Sequence, residues 1–381
     1  MNASVQSGVR GLPPWTVEVI STGEGLLERR EDWNRLAERT AGGNVFQTFD
    51  WAWAWWQHIG RNDRFWGPKR LHVLAFRAGG ELSGLAPLIR RVASWGPFRL
   101  RKIELLGARS SDYNDLLFGD NPHECIQAML AHLSQEDDWD LVDLTNVPAD
   151  SPTHAAFLSV LPETSLHYSV QPGSHCPYIR IEGNLKQYVK TRSKNFRHAF
   201  RKSQKRLQQL EAAGVQFRMI EEPHLEPDLL PKMIAVENRK QIRRGIARPI
   251  LAKAEPFFAS VFQTLGPSGR LYVAVFEKSG QLIAYQFGFR CGGKLWNYNT
   301  AHDSAYARCS PGKMLVAATL EFAHQQGYKE YDFLAGEEDF KKKWTPELHR
   351  NVRILIWSPQ LRSRVTAALH RHVWPYLRRW A

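Results

Sequence analysis

The strongest constraint on this chain is that it resembles itself. Residues 70–84 read RLHVLAFRAGGELSG and residues 270–284 read RLYVAVFEKSGQLIA; at an offset of 200, Arg, Leu, Val, Phe, Gly and Leu coincide without a gap. Each segment alternates, turns at a glycine and alternates again, the signature of a β-hairpin. Downstream of each comes a helix-like stretch and then a strand carrying an acid: Asp143 in WDLVDLT (139–145), Asp332 in YKEYDFL (328–334). Two kinds of element recurring in one order predict a duplicated α/β unit. The expected layout is a flexible N-terminus (1–15), a first half (16–176), a second half (177–358) and a basic tail (359–381). Between Pro148 and Pro177, PADSPTH and QPGSHCP are turn chemistry and read as the junction.

With 381 residues the chain is long enough for two such domains. Its 43% hydrophobic and 23% charged residues are those of a globular protein. The net charge of +13 favours anionic partners: phosphates, nucleic acid, acidic lipid or acidic sugar. Four cysteines with no C-x-x-C pair argue against a disulfide framework or a zinc site, so no metal is expected. The N-terminal stretch has no apolar signal core, and no run of about 18 apolar residues occurs. The expected location is the reducing cytoplasm or the cytoplasmic face of a membrane.

Three segments stand out by pattern. FQTFDWAWAWWQHIG (46–60) places Trp51, Trp55 and Ile59 on one helical face, with Asp50 in position to cap; it reads as a core helix, with a ligand-stacking platform as the alternative. Between Glu182 and Glu211 there is no acid but there are nine Lys or Arg, Arg197 among them, while Phe196, Phe200, Leu207 and Leu210 keep a helical spacing. That is a docked helix with a basic outer face, either merely solvated or suited to an anionic ligand. In the tail, Val365, Leu369, Val373 and Leu377 recur every four residues among arginines, the pattern of an interfacial helix or of one folded back on its domain.

The chemistry concentrates in 295–344. A strand ending near Asn299 leads to a loop with His302, Asp303 and Tyr306, and then Ser310-Pro311-Gly312-Lys313 opens a helix. Ser310 suits an N-cap, Pro311 the first helical position, Gly312 leaves the backbone unscreened and Lys313 adds a positive charge. Such a start suits a phosphate group. Further on, YDFLAGEEDFKKKW (331–344) carries Glu337, Lys341, Lys342 and Trp344 on the segment leaving a strand. An acid recurring in both halves, as Asp143 and Asp332 do, reads as structural.

The order of these features resembles the GNAT-type acyltransferases of the CelD/BcsL group, relatives of the FemAB transferases: aromatic strand, Asp-x-x-Tyr, Ser-Pro-Gly, amphipathic helix, then Tyr-Asp-Phe-Leu-x-Gly with acids, Lys and Trp. Phe-Gln before a Trp-rich helix at 46–60 matches as well. The resemblance implies an α/β fold of two tandem GNAT-like halves with mixed central sheets, the second half catalytic. It implies transfer of an acyl group from acyl-CoA, such as acetyl-CoA, to an amine. In that scheme Ser310, Pro311, Gly312 and Lys313 hold the pyrophosphate, and Asp303, His302 and Glu337 are base candidates. Tyr306 is a candidate acid, and Asn299, Lys341, Lys342, Trp344 and Arg197 are acceptor or donor contacts. The group's association with exopolysaccharide and cellulose synthesis points to an amino-sugar acceptor. Arg308–Lys313 offers a single glycine, and the basic helix suits an aminoacyl-tRNA donor, so a FemAB-like reaction stays open. A non-catalytic scaffold held at an anionic membrane surface through 360–381 is the third reading.

Overall fold

The computed structural model describes residues 15–40, 42–61, 68–95, 98–239, 249–360, 363 and 365–368. The expected flexible N-terminus, apart from Trp15, and the expected tail helix beyond Ala368 lie outside the described residues. The described chain divides into two compact units, one ending at Ser174 and resuming at Arg350, the other running from His175 to His349. Residues 350–357, expected in the second half, thus count with the first unit.

In the first unit β1 (Trp15–Ile20), β3 (Val73–Ala78), β4 (Glu81–Ala86) and β7 (Leu117–Phe118) hydrogen-bond in that order. A second set runs β2 (Lys69–Leu71), β5 (Leu88–Trp95), β6 (Phe98–Leu105), β8 (Leu141–Pro148) and β15 (Leu348–Trp357). Helices Pro122–Ser134 and Pro152–Val160 bury Ile126, Met129, Phe157 and Val160 with Leu88, Val142 and Ile354. The Trp-rich segment is a core helix, Phe49–Trp55, with Trp51 and Trp55 buried. Thr48, not Asp50, caps it, and Asp50 pairs instead with Arg30.

In the second unit β10 (Gln216–Ile220), β11 (Leu271–Lys278), β12 (Gln281–Cys291), β13 (Lys294–His302), β14 (Glu330–Asp332) and the last part of β9 (His167–Arg180) follow one another. Every pair is antiparallel except β13 with β14. One face is covered by helices Lys194–Ala212 and Pro311–Gln325, which bury Phe196, Phe200, Leu315 and Leu320 with Tyr331 and Trp344. Tyr285 and Phe287 alternate with Ala284 and Gln286 along β12, so they face the other side. There helix Glu255–Leu265 packs Phe258 and Phe262 on Phe287, ring centroids 6.0 and 5.2 Å apart.

The duplication is legible in the registers. Phe76 faces Gly84 and Arg77 faces Leu82, with a bulge between; 200 residues on, Phe276 faces Ala284 and Glu277 faces Leu282, with the same bulge. Both turns take left-handed backbone at their two central residues, Gly79-Gly80 and Ser279-Gly280, as a two-residue hairpin loop requires. Each unit also has one parallel pair in the corresponding place, β6 with β8 and β13 with β14.

Two expectations need correction. The 148–177 stretch does hold the boundary between the units, after Ser174, but it is not turns: Ser151 caps the helix Pro152–Val160, and β9 runs through Pro172-Gly173. Gly173 is needed there because a Cβ would come within 3.0 Å of the Asn351 backbone. The basic segment is two helices, Leu185–Thr191 and Lys194–Ala212, because the Ser193 side chain caps a fresh start at Lys194 by accepting from the Phe196 amide.

Candidate active site

The two parallel strands of the second unit pair for only three residues, Lys294↔Glu330, Leu295↔Tyr331 and Trp296↔Asp332. Beyond that point they part. The cause lies in β13: Gly288 faces Asn297 but Phe287 faces Asn299, so Tyr298 is an extra residue opposite β12. A bulge bends its strand and raises the local twist. Gly288 is obligatory opposite it, since a Cβ there would lie 1.9 Å from the Trp296 carbonyl oxygen. β13 stays with β12, while the chain leaving β14 turns through Leu334 (φ +57°) toward β9. Phe333 and Gly336 there donate backbone hydrogen bonds to Pro177 and His175.

The helix Pro311–Gln325 starts beside the end of β13: the Cβ direction of Gly312 points at Thr300 Cγ2 (3.7 Å) and His302 Nδ1 (4.0 Å). Ser310 occupies the N-cap with φ +54°, but its side chain caps nothing; the left-handed backbone turns the hydroxyl away from the first-turn amides. Pro311 has no N–H, and the first helical bond is Met314 to Ser310, so the amides of Gly312 and Lys313 have no carbonyl of their own helix. No acid sits in the first turn. Lys313 is half-buried over the Phe196 ring, and burial, then the neighbouring Lys343, lowers its pKa. The amides, the helix dipole and a lysine together make an anion site with a built-in cation.

At the base of the parting, Gln286 Oε1 and Tyr331 OH are buried without a hydrogen bond of good geometry, although the Gln286 and Asn297 side chains lie close enough to Tyr331 OH to bear on its ionisation. Gln286 Nε2 meanwhile donates to Tyr272 OH (3.0 Å) and Thr319 Oγ1 (3.3 Å). On the opposite face Glu237 is buried and accepts from the amides of Ile250, Leu251 and Ala252 and from Asn299 Nδ2 at 3.0 Å. Tyr331 opens the YDFLAG motif, whereas Glu237 and Gln286 carry none, and the only sequence signal for them is a polar residue within an apolar run.

The other expected residues fall in several places. Asp303 caps the turn at Ala305 (2.9 Å) and ion-pairs with Arg239 at 2.8 Å. Tyr306 packs partly buried against the core, and His302 ends β13, partly buried. Lys341 is buried and donates to the carbonyls of Leu334 (3.3 Å) and Ala335 (2.7 Å), which ties down the turn leaving β14. Trp344 is buried edge-on against Phe196 and Phe200, and its carbonyl accepts from Tyr188 OH. Glu337 is exposed, 2.5 Å from His175 Nδ1 and 2.8 Å from Lys342. The Lys342 bond, then the His175 bond, holds the Glu337 carboxyl below its usual range. Asp332 is buried and accepts from the Leu334 amide at 2.7 Å. Arg197 donates to the Lys190 carbonyl and lines a groove of about 760 Å³ with Lys186, Lys190, Arg201 and Phe200.

No curated protein matches the chain by sequence. Residues 194–342 match the model of the acetyltransferase (GNAT) domain. Among solved structures the chain is similar to FemX, at 12% identity over 90% of this chain and 98% of that one, with a TM-score of 0.60. It is also similar to L-PGS from Bacillus licheniformis, at 12% identity over 89% and 94% of the two chains, with a TM-score of 0.52. A third likeness is the C-terminal domain of a putative lysylphosphatidylglycerol synthetase from Agrobacterium fabrum, at 11% identity over 91% and 97%, with a TM-score of 0.51. At these identities the likeness is one of fold. With the repeated registers and parallel pairs, the chain is a mixed α/β protein of two tandem GNAT-like units, and the match to the acetyltransferase (GNAT) domain falls within the second of them.

Proposed function

We propose that the protein is an N-acyltransferase that moves an acyl group from acyl-CoA to the amine of an amino sugar or a related precursor in exopolysaccharide synthesis, as in the CelD/BcsL group. The observation that carries the acyltransfer reading is the parting of β13 and β14 beneath the uncapped start of helix Pro311–Gln325. An extended pantetheine arm needs an open strand edge to hydrogen-bond, and the bulged β13 supplies one. A pyrophosphate needs free amides and positive charge, and Gly312 and Lys313 supply both. The residues therefore fit acyl-CoA as co-substrate.

The amine must lose a proton as it attacks the thioester carbonyl. Asp303 is committed to Arg239 and to its own turn. His175 is better disposed: Glu337 orients its Nδ1, and Nε2 remains to take the proton, the arrangement by which a carboxylate positions a basic imidazole. The acceptor's identity rests on the resemblance alone.

The test is thiol release from a panel of acyl-CoAs with amino-sugar acceptors. Release that depends on both substrates is the expected result; no release and no thermal stabilisation by any acyl-CoA sinks the reading. One observation favours a second donor. The groove lined by Lys186, Lys190, Arg197 and Arg201 suits a polyanion such as aminoacyl-tRNA. Binding of tRNA that weakens steeply with salt, with no response to acyl-CoA, would select it.

A further inference from the structure

The first unit holds a cluster for which acyl transfer has no use. His132 lies in the last turn of helix Pro122–Ser134, Glu136 follows one turn on, and His72 comes from the link between β2 and β3. His72 Nε2 is 3.6 Å from Glu136 Oε2, and His132 Nε2 is 3.6 Å from Glu136 Oε1. The ligand atoms of all three lie within 4.8 Å of one another. Metal–ligand bonds of about 2.0 Å at tetrahedral angles put ligand atoms roughly 3.3 Å apart, so both histidine–glutamate separations are within a few tenths of an ångström of that spacing, and the imidazoles need only close on each other to seat an ion. Both imidazoles are buried, 4% and 8% exposed, and stack with centroids 6.2 Å apart.

Two further observations point to a ligand. His132 Nε2 is buried with no hydrogen-bond partner although it faces the carboxylate, a state that buried polar atoms seldom occupy. The second is Arg90, whose Nη2 sits 3.0 Å from His72 Nε2 and also contacts Glu136. A guanidinium has only donors, so His72 must turn an unprotonated Nε2 toward the cluster. That lone pair is the one a metal takes. Arg90 thus stands as a resident cation among three donors, and its other nitrogen already holds the exposed Asp138.

We propose that His72, His132 and Glu136 form a binding site for a divalent transition-metal ion of the zinc class, which displaces Arg90 toward Asp138. Two neutral imidazoles and a carboxylate are a zinc donor set that leaves one coordination position open. The ion's charge replaces that of the guanidinium, so Glu136 stays neutralised throughout.

Titration of the metal-stripped full-length protein with Co²⁺, read by the ligand-field bands of tetrahedral cobalt, tests this, with Zn²⁺ competing the bands away. The expected result is one equivalent bound. His132→Ala and, from the opposite element, His72→Ala should each weaken binding by about tenfold or more, and Arg90→Gln should tighten it. Far-UV dichroism identifies any variant that fails to fold, and Glu136→Gln then replaces it. Wild-type binding that survives in the histidine variants belongs to surface histidines and overturns the proposal. Absence of tetrahedral bands in the wild type also overturns it for the native chain, even if Arg90→Gln binds.

Discussion

His175 is the residue on which the proposed chemistry turns, and it sits in a stretch, QPGSHCP, whose composition speaks only of turns. Its Nδ1 meets Glu337, so His175→Gln should lower kcat by about 100-fold with little change in KM for acyl-CoA. Steady-state kinetics check this; an unchanged kcat would move the base elsewhere. Glu337 was legible because it follows the glycine that ends the YDFLAG strand. Its partner was not, because 162 residues separate them and only the pairing of β9 beside β14 brings them together. Ser310 shows a finer limit. The Ser-Pro-Gly pattern correctly predicts a helix start, but not the φ of +54° that turns the hydroxyl away from the amides. A side chain in that conformation costs about 1 kcal/mol relative to glycine. Ser310→Gly should therefore raise the urea midpoint while leaving acyl-CoA affinity within about twofold, as equilibrium unfolding and a binding titration would show.

At the scale of elements, the cleft is made by strand geometry rather than by any motif. The bulge at Tyr298 turns β13 off β14, and Gly288 makes the bulge sterically feasible. Neither was visible in the sequence, because a bulge is a relation between two strands while pattern reading treats strands singly. The helix that closes the cleft was visible, since Pro311 at its first position and its amphipathic face are local. Its start offers a clean separation of stability from function. An acid in the first turn favours a helix by about 0.3–1 kcal/mol through the dipole, yet repels a phosphate at the same amides. The nearest atoms to a Cβ on Gly312 lie 3.7 and 4.0 Å away, so a side chain fits. Gly312→Asp should hold or slightly raise the melting temperature and raise KM for acyl-CoA by tenfold or more. Differential scanning calorimetry and initial rates measure the two, and a variant with unchanged KM would show that the pyrophosphate does not lie there.

At the scale of the whole molecule, both units carry the bulged hairpin and a parallel pair, yet the proposal puts the reaction in the second alone, and the same elements supply the reason. In the first unit the place where β6 and β8 would part is stitched shut: Asn114 Nδ2 donates to the Thr145 carbonyl and Asn146 Nδ2 to that of Ser111, both at 3.1 Å. The corresponding helix start, Asn121-Pro122-His123-Glu124, carries an acid in its first turn where the second unit has Lys313. The duplication was legible because the hairpin is local; the loss of the cleft was not, since it rests on contacts across a strand end. Asp143 belongs to this closed unit. Its buried carboxylate is held by Arg353, at 2.7 and 2.8 Å, and by Lys102. Burial alone would raise its pKa, but the Arg353 bonds and the Lys102 charge outweigh that and hold it below the usual range. A carboxyl depressed in the folded state contributes stability above its unfolded pKa of about 3.9, and that contribution is lost as pH falls through the folded value. Asp143→Asn should therefore cost about 2 kcal/mol at pH 7 by removing the carboxylate that Arg353 holds, while Lys102 keeps Glu104 at 3.1 Å. The cost should shrink progressively as the pH falls below about 4, where the unfolded wild type takes up the proton, and vanish only below the depressed folded value. Because the residue serves only the closed unit, kcat at a temperature well below the unfolding transition should stay within about twofold of wild type. Urea unfolding at several pH values, beside turnover under native conditions, measures both, and a large fall in kcat without loss of folded protein would give the first unit a part in the reaction.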